Sequence, residues 1–257
     1  MSRAPAIACL TDFGTRDWYA GTLKGVLLSR APGIPILDLS HDIPPYDVRA
    51  GALALAAAAP WFPRRTVFLA VVDPGVGSDR ALLAAEADGR YFVGPDNGLL
   101  MLALTQARRR RIVHLARPRY WLPGVSRTFH GRDILAPVAA HLARGGSLLA
   151  LGPPVRPRVP LPWPAPQRTG RRWAGRIVHI DAFGNLITNL PGSAASGSVV
   201  RCRGRRVPVV SSYAAGRAGR LAAVVNSLGL VELAVPGASA ATRLRAQRED
   251  AVALGPG

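Results

Sequence analysis

Residues 66–72, Thr-Val-Phe-Leu-Ala-Val-Val, form an apolar run of strand length that stops abruptly at Asp73-Pro74-Gly75-Val76-Gly77-Ser78-Asp79-Arg80. The run reads as a buried strand, and it constrains the fold more than any other segment of the chain. Glycines at its end let the backbone turn sharply and approach a ligand closely. Asp73 and Arg80 stand at the two ends of that turn, so a carboxylate and a guanidinium can face one small space. In open α/β sheets, ligands sit at the carboxyl ends of strands. A structural bend closed by an Asp–Arg ion pair explains this segment equally well when it is taken alone.

The first 150 residues place this strand in a regular alternation. Strands are expected at 7–10, 36–39, 66–72, 82–87, 91–93 and 112–115, and helices at 18–29, 48–59, 99–107 and 133–144. Such alternation implies a mostly parallel sheet covered on both faces. Residues 152–170 hold seven prolines and read as an extended linker. Beyond them come short β-type runs at 175–180, 186–190, 198–202, 207–210, 221–225 and 230–235, spaced as in a small antiparallel barrel or sandwich. The expected organisation is an α/β domain over 1–152, a Pro-rich linker over 153–170 and a small antiparallel β-barrel over 171–257.

Composition narrows the function classes. The net charge is +18, yet Lys24 is the sole lysine, and abundant Ala, Gly and Pro point to a coding bias behind the arginines. The Arg108–Arg111 run is expected at the solvated end of the 99–107 helix, where the dipole favours cations. Aromatic platforms and paired Cys/His motifs for nucleic acid are absent, which leaves at most salt-sensitive, non-specific binding. Arg49 and Pro60 bracket the longest apolar stretch, so no membrane span is expected. Residues 1–10 are too short and too weakly apolar for a signal peptide. Cys9 and Cys202 are far apart and imply neither a disulfide framework nor a thiolate metal site, consistent with a cytoplasmic protein.

Polar clusters fall at the expected strand ends: Asp12, Ser40-His41-Asp42, Asp73 to Arg80, Asp96-Asn97-Gly98, Thr128 to Asp133, and Asp181 to Asn189. Each has an ordinary structural reading. Asp12 suits a helix N-cap, Asp96-Asn97-Gly98 a plain turn, and His130 a satisfied buried histidine. Arg132 and Asp133 suit a local ion pair, and Asp181-Ala182-Phe183-Gly184-Asn185 a tight hairpin. So many polar groups collected on one sheet edge would nonetheless be costly without a ligand. The dinucleotide Gly-x-Gly-x-x-Gly turn, a Walker sequence and a nucleophile elbow are all missing, and the histidines lack metal-ligand spacing. Carboxylates, one His and one Arg remain, a set suited to positioning a small polar molecule.

Taken in order, these segments resemble the S-adenosylmethionine (SAM) hydroxide adenosyltransferases, which are adenosine-forming SAM hydrolases related to the SAM-dependent fluorinases and chlorinases. The resemblance rests on Leu10-Thr11-Asp12-Phe13-Gly14, Ser40-His41-Asp42-Ile43-Pro44, Val72-Asp73-Pro74-Gly75-Val76-Gly77 with Arg80, and Gly94 to Leu99. It continues through Thr128 to Asp133, Asp181 to Asn189, and Asn226-Ser227 with Gly229. It implies an α/β domain joined to a small β-barrel, and a homotrimer with SAM between one subunit's N-terminal domain and a neighbour's C-terminal domain. SAM would be the substrate, with no cofactor and no metal. Asp12 would grip the ribose diol, with Tyr46 packed beside the ligand. Asp181 would meet the methionine ammonium, with Asn226 in the adjoining segment and Ser227 near the amino-acid end. Phe183, Asn185 and Tyr213 would frame the adenine.

By the same resemblance, Asp73, Arg80 and His130 match the hydrolytic set. The sulfonium is already a good leaving group, so the reaction needs an oriented water in line with the 5′ carbon. Asp73 and His130 are expected to orient and deprotonate that water, while Arg80 fixes the network. Halogenase relatives carry Tyr at the positions of Asp73 and His130, and a carboxylate beside a halide pocket would repel the anion. Hydrolysis is therefore expected over halogenation, a non-catalytic SAM sensor or nucleic-acid binding. Two departures are Leu228, where halogenases have Arg, and Pro236, which removes a backbone N–H near the expected adenine position.

Overall fold

In the computed structural model, which describes residues 5–257, the chain forms two compact units, Met1–Pro162 and Trp163–Gly257. The first four residues, part of the 1–10 segment considered above as a leader, lie outside the described residues. The first unit runs β1 (Ile7–Thr11), α1 (Tyr19–Arg30), β2 (Ile36–Ser40), α2 (Val48–Ala58), β3 (Val67–Val71), β4 (Leu82–Ala87), β5 (Arg90–Pro95), α3 (Met101–Thr105), β6 (Arg110–His114) and α4 (Ala136–Ala143). Its sheet has the order β2-β1-β3-β5-β4-β6. All neighbours are parallel except β4, which is antiparallel to both β5 and β6.

The 66–72 run is apolar throughout because both of its faces are covered. Leu69 packs with Leu23 and Leu27 of α1 and Val138 of α4, while Phe68 and Ala70 face Leu55 of α2 and Leu104 of α3. From β1 the chain crosses over α1 to β2 on one side, then over α2 to β3 on the other. The carboxyl ends of β1 and β3 therefore flank a topological switch point, the place where ligands enter open α/β sheets.

Three local expectations are corrected. The helix expected over 99–107 contracts to α3, and the arginine run does not continue it. Asp88 accepts the backbone N–H groups of Arg108 and Arg109, at 3.1 Å each, and turns the chain into β6. There Arg111 pairs across the ladder with Glu86, and Arg110 sends Nη1 back to the Leu104 carbonyl at 2.9 Å. The helix expected over 133–144 begins instead with a π-helical turn, Gly131–Leu135, before α4. Pro137 has no N–H to give the Asp133 carbonyl, which accepts from Leu122 N at 2.8 Å.

Residues 152–170 are extended, but they are not a free linker. Val155 N donates to the Ile112 carbonyl, and the buried Asp96 carboxylate accepts from Arg158 N at 2.9 Å. Arg49 holds the Pro162 carbonyl at 2.6 Å, so the first part of this segment is strapped to the first unit.

The second unit contains β7 (Gln167–Thr169), β8 (Arg172–Ile180), β9 (Leu186–Pro191), β10 (Ser198–Cys202), β11 (Arg205–Pro208), β12 (Ala222–Val225), β13 (Leu230–Ala234), α5 (Ala240–Leu244) and β14 (Ala251–Pro256). Its antiparallel sheet follows β11-β10-β14-β8-β9-β13-β12, with β7 paired to β8. A bridge between Val209 and Ala223 joins the two ends and nearly closes a barrel around Ile177, Leu186, Val200, Val231 and Leu233. Strands β7 and β14 lack a clear alternating pattern and were not expected. Both cysteines are free and buried, one in each unit. Among the described residues, no helix is long and apolar enough to cross a membrane.

Candidate active site

In the first unit, the carboxyl ends of β1 and β3 bring Asp12 and Asp73 to one place. Asp12 caps no helix. Its Oδ2 accepts the backbone N–H of Tyr46 at 2.9 Å, and Tyr46 adopts a left-handed φ of 65° that leaves its ring largely exposed above the site. Burial raises the Asp12 pKa, the Tyr46 N–H opposes that rise, and the negative charge of Asp73 adds to it. The two carboxylates therefore sense each other across the switch point.

Beneath Asp12, the chain is held by a polar relay that runs from buried Thr11 and His41 to exposed Asp38. His41 contacts Thr11 Oγ1 through Nδ1 at 2.8 Å and Asp38 Oδ1 through Nε2 at 3.0 Å. Thr11 Oγ1 also accepts from Phe13 N, and the His41 carbonyl accepts from Gly14 N at 2.7 Å. Thus Ser40-His41-Asp42 acts through the backbone around Asp12.

The Asp73–Arg80 turn closes as an ion pair whose side chains are almost fully buried, 5% and 8% exposed. Arg80 Nε donates to Asp73 Oδ1 at 2.6 Å, and Nη2 donates to Oδ2. Both Nη atoms also lie 3.2 Å from Nδ1 of His130. A guanidinium only donates, so Nδ1 accepts and the imidazole proton resides on Nε2. Burial, then the charge of Arg80, lower the His130 pKa, while Asp73 and Asp133 act in the opposite direction. The outcome is a neutral histidine beside a paired carboxylate.

Glycine is required inside this turn. Gly77 has φ 84°, and a Cβ there would stand 2.6 Å from the Arg127 carbonyl oxygen. That contact seats the turn against the segment leading to His130. Asn97 belongs to the scaffold, since its Nδ2 donates to the Val72 carbonyl at 2.8 Å. Arg132 and Asp133 form the ion pair that the ordinary reading anticipates, with Nε to Oδ1 at 2.6 Å.

The second unit carries its own cluster. Asp181 occupies the β8–β9 hairpin, where Oδ1 accepts from Phe183 N and Asn185 N and Oδ2 from Asn185 Nδ2. These bonds turn the Phe183 ring outward, 79% exposed. Asp181, Phe183, Asn185 and Tyr213 line one cavity of about 730 Å³, together with Pro236 and Ser239. Tyr213 donates to Glu232 Oε1 at 2.6 Å, and Asn226 Nδ2 donates to Oε2 at 3.2 Å. Burial and this carboxylate push the Tyr213 hydroxyl up to about 12. Ser227 stands exposed on the turn between β12 and β13.

Sequence reasoning missed Glu232, which is 3% exposed. Its signal was available, because it is the lone acid in the apolar run Leu230-Val-Glu-Leu-Ala-Val235. Pro236, noted above as a departure, lines the cavity wall.

Residues 7–152 match the SAM hydroxide adenosyltransferase N-terminal domain, and residues 175–253 match the corresponding C-terminal domain. This chain belongs to the SAM hydroxide adenosyltransferase family. It is 44% identical to an (R)-S-adenosyl-L-methionine hydrolase of Thermus thermophilus over 240 residues, covering 90% of this chain and 92% of the relative. A fluorinase of an Actinoplanes species is more distant, at 28% identity and 90% coverage of both chains. Among solved structures, an uncharacterized conserved protein from Thermotoga maritima superposes with a TM-score of 0.91 at 31% identity, covering 97% of this chain and 99% of that one. As a member of the SAM hydroxide adenosyltransferase family, the chain shares its two-domain organisation and places the resembling motifs in two clusters, one in each unit.

Proposed function

We propose that this chain hydrolyses S-adenosylmethionine to adenosine and methionine, with Asp73, Arg80 and His130 as the hydrolytic set. The observation that carries the reading is the buried Asp73–Arg80–His130 cluster next to Asp12. Water attacks the ribose 5′ carbon in line with sulfur. The O–C5′ bond forms as the C5′–S bond breaks, and the bonding pair leaves on sulfur as the neutral thioether of methionine. One water proton must depart, and no general acid is needed at the leaving group.

The hydrogen-bond pattern divides the roles. With Nδ1 of His130 filled by Arg80, its Nε2–H donates to the water oxygen and orients it. Asp73 keeps lone pairs free of Arg80 and accepts the departing proton. This refines the sequence expectation, in which both residues share deprotonation. Asp12 holds the ribose diol, because one carboxylate can accept from two hydroxyls at once, and Tyr46 packs over the sugar. Phe183, Asn185 and Tyr213 frame the adenine, Asp181 meets the ammonium, and Asn226 and Ser227 lie towards the amino-acid end. Leu228 leaves no guanidinium for the methionine carboxylate at that position.

The two clusters belong to different units, and we infer that they meet between neighbouring subunits of a homotrimer. The family resemblance supports this assembly. The free, buried cysteines fit a reducing compartment, and we assign the protein to the cytoplasm.

The direct test is incubation with SAM in oxygen-18 water. Adenosine labelled at the 5′ hydroxyl is the expected product. Unlabelled adenosine, or a 5′-halo-5′-deoxyadenosine when chloride or fluoride is supplied, would overturn the assignment.

A further inference from the structure

The barrel unit carries a cationic cavity that SAM hydrolysis does not use. The β10–β11 hairpin supplies Arg205 and Arg206, the loop after Tyr213 supplies Arg217 and Arg220, and α5 supplies Arg243. Together they line a cavity of about 710 Å³, with Pro208, Val210 and Leu221 among its apolar lining. None of the described lining residues is acidic. Two ion pairs of this unit's arginines lie elsewhere, from Arg176 to Glu249 and from Arg203 to Asp250.

Composition accounts for many arginines, but not for five of them lining one concavity beside apolar residues. Like charges around low-dielectric walls focus a positive field and repel one another until a multivalent anion enters. The rim is also organised. Arg243 Nη2 donates to the Gly219 carbonyl at 2.6 Å, and Gly219 N donates to the Pro236 carbonyl, so the loop bearing Arg217 and Arg220 is fixed against α5.

We propose that this cavity binds a compact oligophosphate, free or carried on a nucleoside. Guanidinium forks match phosphate oxygens in paired hydrogen bonds, and several phosphates are needed to neutralise five such groups. The apolar lining residues accept the face of a sugar or base. A nucleic-acid strand suits the site poorly, because stacking platforms are needed and no described lining residue is aromatic. SAM itself carries no phosphate and has a net positive charge, so the cavity is distinct from the substrate site.

The test is equilibrium binding of inorganic tripolyphosphate and of ATP to the full-length protein at about 0.15 M salt, where long-range attraction is screened. Saturable binding is expected, weakened about tenfold or more in the double variant Arg217→Ala/Arg220→Ala. A control of equal charge, Arg156→Ala/Arg171→Ala, should change affinity less than about twofold, because those exposed side chains lie outside the cavity. Thermal melts verify that both variants fold. Equal affinity for the two ligands assigns the site to free oligophosphate, whereas tighter ATP binding assigns the apolar lining to the nucleoside. The proposal fails if neither ligand saturates, if both variants weaken binding equally, or if a short single-stranded RNA binds more tightly than either. SAM turnover measured in the same variants is expected to persist, which separates failure here from failure of the hydrolase reading.

Discussion

Arg80 divides one guanidinium between a carboxylate and an imidazole, and with burial this holds the imidazole neutral. With the His130 pKa lowered by burial and by Arg80, the ring stays neutral through neutral pH and protonates only below its ordinary value of 6.5. The acid limb of kcat/KM should therefore lie below that value. In Arg80→Met the repelling charge is gone, and whatever rate survives should show that limb displaced upward. A limb that stays in place would remove Arg80 from the control of His130. Asp73→Asn keeps the shape of the pair but cannot take a proton. Its kcat should fall about 10²- to 10⁴-fold while the dissociation constant for SAM changes little. Equal loss of binding and rate, measured by single-turnover kinetics beside equilibrium titration, would contradict that role.

At the scale of the elements, the proposed site depends on turn geometry. Gly77→Ala places a methyl group 2.6 Å from the Arg127 carbonyl and imposes a left-handed φ on an L-residue. The cost should be about 1–2 kcal/mol in stability, seen as a lowered Tm, with activity falling further because the turn and His130 lose their common seat. An unchanged Tm would show that the turn relaxes freely. The alternation of strands and helices was legible because residues 66–72 bury both faces and the alanine-rich α2 ends just short of Pro60. The arginine run misled because Asp88, far from it in the pattern, captures two backbone N–H groups and starts a strand. The π-helical turn was hidden for a similar reason, since only tertiary structure shows that Leu122 N satisfies the Asp133 carbonyl. Within the candidate site, Asp73, Arg80 and His130 announce themselves by residue type at strand ends. Glu232 shows in the sequence only as a lone acid in an apolar run, and its partners Tyr213 and Asn226 are visible only in the folded unit.

At the scale of the whole molecule, a protein of net charge +18 is asked to capture a substrate of net positive charge. Long-range repulsion opposes encounter, whereas in the proposed site Asp12 attracts only at short range and Asp73 is already paired with Arg80. Raising ionic strength from about 10 to about 150 mM shortens the Debye length from about 30 to about 8 Å. The value of kcat/KM should then rise, by a factor that initial-rate measurements across a salt series will give. A steep fall would mean that the local carboxylates dominate the field at every distance. The sign of this salt effect is therefore a sensitive probe of how local the site's field is.

Asp96 has an implication for where the molecule can be cut. Its buried carboxylate depends on N–H groups from Arg158 and Val159, which lie beyond the 7–152 segment matched as a domain. A fragment ending at residue 152 should leave that charge stranded, while one ending at 162 retains its partners. The shorter piece should melt earlier by the equivalent of about 1–3 kcal/mol in urea titration. Equal midpoints would show that water replaces the strap without loss. The autonomy of the first domain thus resides partly in residues that homology alone would discard as a joint.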